Sequence, residues 1–147
     1  MQNKELSSGT SDEQRTNVEG SHVSPACAKR HVSSSCGTLH LNLHSKWFDM
    51  ILSGIKKEEY REVKRFWICR LLANIEYLTD LEGVQNVGAR FKHYDFVEFK
   101  NGYSKTSPMM IVECKGISVG KARPEWSEGF ADDCFVISLG NVVKSTA

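Results

Sequence analysis

No apolar run in this sequence approaches the ~20 residues that cross a bilayer, and no basic stretch followed by an apolar one stands at its start. Neither a membrane span nor a secretory signal is therefore expected. There is also no CxxC pair: the five cysteines, Cys27, Cys36, Cys69, Cys114 and Cys134, are odd in number and scattered. A disulfide framework is not expected, and a reducing, cytoplasmic compartment fits. A surplus of one charge sign is lacking as well, since the formal net charge is +1. That balance argues against a protein that coats nucleic acid by bulk electrostatics, while leaving room for a local basic face.

What remains is enough for one compact core: 147 residues, 40% of them hydrophobic. From Met1 to Gly37 the chain is dominated by Ser, Thr, Gly, Glu, Asn and Lys, with scarcely a large apolar side chain. Such a segment cannot bury enough apolar surface to offset its ordering entropy, so residues 1–37 read as a disordered tail and 38–147 as a single domain.

In the domain, Leu39, Leu41 and Leu43 alternate with His40, Asn42 and His44, the pattern of a half-buried strand. Ser45 has the chemistry of an N-cap, and Trp47, Met50 and Ile51 recur at helical spacing as far as Gly54, giving a short helix over 46–53. Trp67, Leu71, Ile75 and Leu78 repeat every three to four residues and suggest a second helix, followed by a loop over 83–90. The run Tyr94 to Phe99, then Asn101-Gly102 and Tyr103, reads as a hairpin with a type I′ turn, because Asn and Gly tolerate positive φ. Strands are expected again over 109–115 and 134–139, separated by loops over 116–130 with a short strand near Ile117 to Val119. The order suits an α+β fold, a small mixed β-barrel with two or more flanking helices.

The densest polar segment runs from Gly54 to Arg65, after one helix and before the next. If 59–63 is extended, Glu59, Arg61 and Val63 share one face, with Lys56 close by in the preceding turn. An acid and two cations could then fix one another, presenting a guanidinium fork to a phosphate or a base edge. On residue types alone the alternative is a solvated charged turn, whose surface pairs contribute ~0–1 kcal/mol each.

Gly54, Lys56, Glu59 and Arg61 also fill all four fixed positions of G-x-K-x-x-E-x-R, the signature of the ASCH family, which this segment resembles. The helix containing Trp47-Phe48-Asp49-Met50-Ile51, the later Phe96 to Tyr103 segment and the Phe135-Val136-Ile137 strand are similar to small stand-alone ASCH proteins of bacteria and phages. The resemblance covers Thr38 to Val143 and implies a PUA-like barrel with a cleft beside the motif that accepts RNA or a modified nucleoside. One branch of that family hydrolyses acetylated cytidine with the motif lysine, a threonine three positions later and a distant glutamate. Here Lys56 matches, but Glu59 stands at the threonine position, and a carboxylate does not replace an activated hydroxyl without a different intermediate. Glu98, Glu113 and Glu125 are equal candidates for the third residue. Three readings thus stay open: a binding module in which Lys56, Glu59, Arg61 and Tyr103 meet the ligand, a hydrolase or ribonuclease with Lys56 and Glu59 as the working pair, and a small accessory protein whose partner is another protein.

Cys27, His31, Cys36, His40 and His44 gather potential zinc ligands, but their spacing departs from finger patterns, and no metal or cofactor is expected. Trp47 and Trp67 lie on helical apolar stripes and read as core, whereas Tyr103, near Lys100 and Lys105, reads as ligand-facing. Lys64, Arg65 and Arg70 either extend a phosphate-contacting patch or solubilise the second helix.

Overall fold

The computed structural model describes residues 37–73, 83–84, 90–129 and 132–147. Nearly all of the expected tail lies outside these residues, as do Cys27, His31, Cys36, Ile75 and Leu78. Gly37, assigned to the tail from composition, already belongs to the first strand.

That strand, β1 (Gly37–Leu43), buries Leu39, Leu41 and Leu43 and leaves His40 and Asn42 outside, as strict alternation requires. The helix α1 (Ser45–Leu52) then buries Trp47, Phe48 and Ile51 against it. His44 holds the N-cap position, and its carbonyl accepts the Trp47 and Phe48 amides at 3.0 and 3.1 Å. Ser45 does not cap; its hydroxyl donates instead to Asn101 Oδ1 at 2.9 Å, tying the helix start to the end of the neighbouring strand.

Strand β2 (Glu58–Arg61) pairs antiparallel with β5 (Asp133–Ser145), and β5 with β4 (Met109–Lys121). Strand β3 (Tyr94–Asn101) lies antiparallel to β4 and parallel to β1, giving the order β1-β3-β4-β5-β2. The two edge strands of this mixed sheet are not paired with each other, yet the sheet curls enough for an Arg61 Nη2 on β2 to lie 3.4 Å from the Asn42 carbonyl on β1. The fold is thus α+β and barrel-like, open along one seam. The concave side holds the main core, where Phe99, Met110, Val112, Phe135 and Ile137 meet the three β1 leucines and both helices.

Further expectations are corrected. The helix α2 (Arg65–Leu71) ends sooner than its apolar repeat suggested, because Leu72 is extended and bridges Phe91. Its last carbonyls are taken by groups from the returning chain: Lys92 Nζ donates to Cys69 O at 2.7 Å, Tyr94 Oη to Arg70 O at 2.6 Å and the Lys92 amide to Leu71 O at 2.8 Å. These partners do what a further helical turn would otherwise do. The β3–β4 reversal is not a two-residue turn: Lys100 pairs with Met109, and the Gly102 amide donates to Leu43 O at 3.0 Å, so residues 102–108 form a longer loop. Finally, β4 runs unbroken through Gly116, whose φ of 143° lies at a register shift and absorbs the expected break as a bulge.

Cys69 is disulfide-bonded, whereas the scattered cysteines gave no expectation of a disulfide framework. Cys114 and Cys134 are free thiols, both with their pKa raised by burial above all. Among the described residues no helix is long and apolar enough to cross a membrane.

Candidate functional site

The charged segment after α1 is folded inward. Gly54 adopts φ 76°, a left-handed conformation that glycine reaches without the usual side-chain penalty. Its amide donates to Ile51 O at 2.9 Å, and the Lys56 amide reaches back to Met50 O at 2.9 Å. This C-terminal cap turns the chain so that Lys56 points under the sheet edge and β2 can begin two residues later.

Lys56 and Glu59 are each only 3% exposed. Lys56 Nζ lies 2.8 Å from Glu59 Oε2 and donates to the Trp126 carbonyl at 2.8 Å, while the Trp47 ring centroid is 4.2 Å away. The Oε2 contact is an ion pair rather than a well-aligned hydrogen bond. Glu59 Oε1 accepts from Arg61 Nη1, which also donates to its neighbour's carbonyl, Tyr60 O, at 2.7 Å. One buried carboxylate therefore holds both motif cations. Burial pushes the Lys56 pKa below its ordinary value; the close negative charge of Glu59 opposes that fall, and Arg61 adds to it.

Alternation on β2 sends Tyr60 to the opposite face, where it packs with Cys134 and Val136. Its hydroxyl donates to Glu58 Oε2 at 2.6 Å and accepts the Arg123 amide at 3.2 Å. The Arg123 guanidinium stacks 4.9 Å from the Trp126 ring centroid. These contacts strap the turn of 3₁₀ helix at Pro124–Trp126 across the end of β2 and bring the Trp126 carbonyl onto Lys56.

Arg61 faces the open seam. Its guanidinium carbon lies 5.1 Å from the Trp67 ring centroid, and that of Arg70 lies 5.3 Å from the same ring. Arg70 also lies 5.4 Å from the Phe66 ring and donates to His40 O at 2.8 Å. A cleft of about 570 Å³ runs along this seam, within the range of ~300–1,000 Å³ usual for small-ligand sites. Its lining includes Lys56, Glu59, Arg61 and Tyr103, the four residues singled out from the sequence.

Tyr103 is 89% exposed at the rim, and Phe66, 60% exposed, stands on the α2 side. Trp47 and Trp67, expected as core, do pack against the core, yet both also form part of the cleft wall. Sequence reasoning missed Trp126 and Glu128. A tryptophan inside a Pro-containing loop was the available signal for the first, and nothing marked the second. The lining is not basic as a whole: Lys56, Arg61 and Arg70 are matched by Glu59, Glu62 and Glu128. Glu98, Glu113 and Glu125 do not line it. Glu98 pairs with His40, and Glu113 with Lys115 and the Asn141 amide. Lys64 turns outward to Glu62. Among the described residues no cluster of His, Cys, Asp or Glu could hold a metal ion.

No family model, curated protein or solved structure matches this chain.

Proposed function

We propose that this is an ASCH-type, PUA-like domain whose seam cleft binds RNA or a nucleotide-like ligand. The observation that carries the reading is the convergence of Lys56, Glu59 and Arg61 on one concave, aromatic-walled cleft. In it Arg61 is the ligand-contacting cation and Glu59 orients it, while Tyr103 offers a ring on which a base can stack, worth ~1–3 kcal/mol. Lys56 serves from below: paired with Glu59, donating to the Trp126 carbonyl and lying over the Trp47 face, it holds the cleft floor in place.

Titration of short single-stranded RNA at low salt tests this. Binding that Arg61→Ala weakens at least tenfold supports it, and no binding, or binding indifferent to that change, refutes it.

A hydrolase reading is favoured by one observation, the lowered pKa of Lys56, since a lysine that gives up its proton more readily can act as a base. Against it, Glu59 is engaged by two cations, which leaves it poorly placed to act on a substrate. Incubation with acetylated cytidine and with labelled RNA, alongside Lys56→Met, separates the classes: turnover lost in the variant supports catalysis.

A further inference from the structure

Among the described residues no strand pairs with the outer edge of β1, and side chains lie along it instead. Parallel pairing to β3 uses one set of alternate backbone groups, as the Leu43 carbonyl does with the Gly102 amide. The carbonyls of His40 and Asn42 therefore point the other way, into the seam. Arg70, from the last turn of α2, takes the first, and Arg61, from the end of β2, lies within 3.4 Å of the second. Two residues of strand separate these contact points by ~7 Å. Both guanidiniums lie close to one ring, that of Trp67, at 5.1 and 5.3 Å. Two cations from different elements are thus gathered at the same wall of the cleft. Arg61 is held by the buried carboxylate of Glu59, and Arg70 by the His40 carbonyl.

From this geometry we infer that Arg61 and Arg70 together form an oxyanion site, so that the cleft selects a phosphorylated ligand, a nucleotide or a phosphodiester, over the neutral nucleoside. The inference rests on the ligand class proposed above and adds a residue outside the motif. Planar guanidiniums suit the task because each can direct parallel N–H groups at phosphate oxygens, which an ammonium cannot. The charges of the lining balance only when this pair is counted, Lys56, Arg61 and Arg70 against Glu59, Glu62 and Glu128, so discrimination must come from the pair rather than from the cleft's overall field.

The experiment compares wild-type affinity for the four nucleosides, their 5′-monophosphates and an unphosphorylated trinucleotide, with inorganic phosphate as competitor. At least one 5′-monophosphate, or the trinucleotide, binds tenfold or more tightly than the matching nucleoside. A gain confined to the monophosphates marks a terminal phosphate as the source, and one confined to the trinucleotide marks a diester. Arg70→Ala removes that margin, bringing the phosphorylated ligand to the level of the matching nucleoside in the same variant. Arg70→Lys, which keeps the charge but not the fork, retains only part of it, and thermal melts of both variants establish that they are folded. Equal wild-type affinity for nucleoside and phosphorylated ligand, or a margin that survives Arg70→Ala, overturns the inference while leaving nucleoside-like binding standing. No binding of any of these ligands overturns both.

Discussion

Lys56 and Glu59 are three residues apart, both almost wholly buried, with Nζ 2.8 Å from Oε2. Each makes the other's burial tolerable, since an isolated buried charge carries a penalty of several kcal/mol. Removing one partner is therefore expected to cost more than removing both. Glu59→Gln should destabilise the fold by ~3–5 kcal/mol, and adding Lys56→Met to it should recover a substantial part. Chemical denaturation of the two single variants and the double variant measures this. Additive losses would show that the two charges do not depend on each other.

Gly54 sets where that pair falls. At φ 76° a side chain is strained whatever the space, although the nearest atom to a Cβ there, Lys57 Nζ, is at an ordinary 3.4 Å. Gly54→Ala is expected to lower stability by ~1–2 kcal/mol through backbone strain alone. Gly54→Asn, which tolerates the left-handed region better, should cost less. Equal losses in the two would place the cause elsewhere.

Tyr60 supplies a pH signature. Burial and the hydrogen bond to Glu58 raise its pKa above 10.0, so the folded protein keeps a proton that the unfolded chain releases. Its contribution is present in full below about pH 10 and fades as pH climbs toward the folded value, at up to ~1.4 kcal/mol per pH unit. Tyr60→Phe should cost ~1 kcal/mol at neutral pH, where the hydroxyl's two hydrogen bonds are lost. The variant should then lose stability less steeply than wild type above pH 10. Parallel alkaline melts of the two proteins would contradict the raised pKa.

Much of this was legible in the chain. The leucine alternation of β1 and the apolar stripe of α1 announce themselves because each element buries one face, so local period and tertiary burial agree. The inward turn of the charged segment was not legible from residue types, which favoured a solvated turn. Elements whose limits are set by distant partners were not legible. The end of α2 depends on Lys92 and Tyr94, and the length of the loop after β3 depends on Leu43 claiming the Gly102 amide. The role of Trp126 depends on a backbone carbonyl, which no side-chain pattern encodes.

The central claim is that ligand enters the seam between β1 and β2, and amide chemical-shift mapping during titration with a short single-stranded RNA at low salt tests it most directly. Shifts are expected to cluster at residues 40–44, 59–61, 66–70, 103 and 126–128. Shifts confined to the β4–β5 region away from the seam, or none at all, would contradict the account.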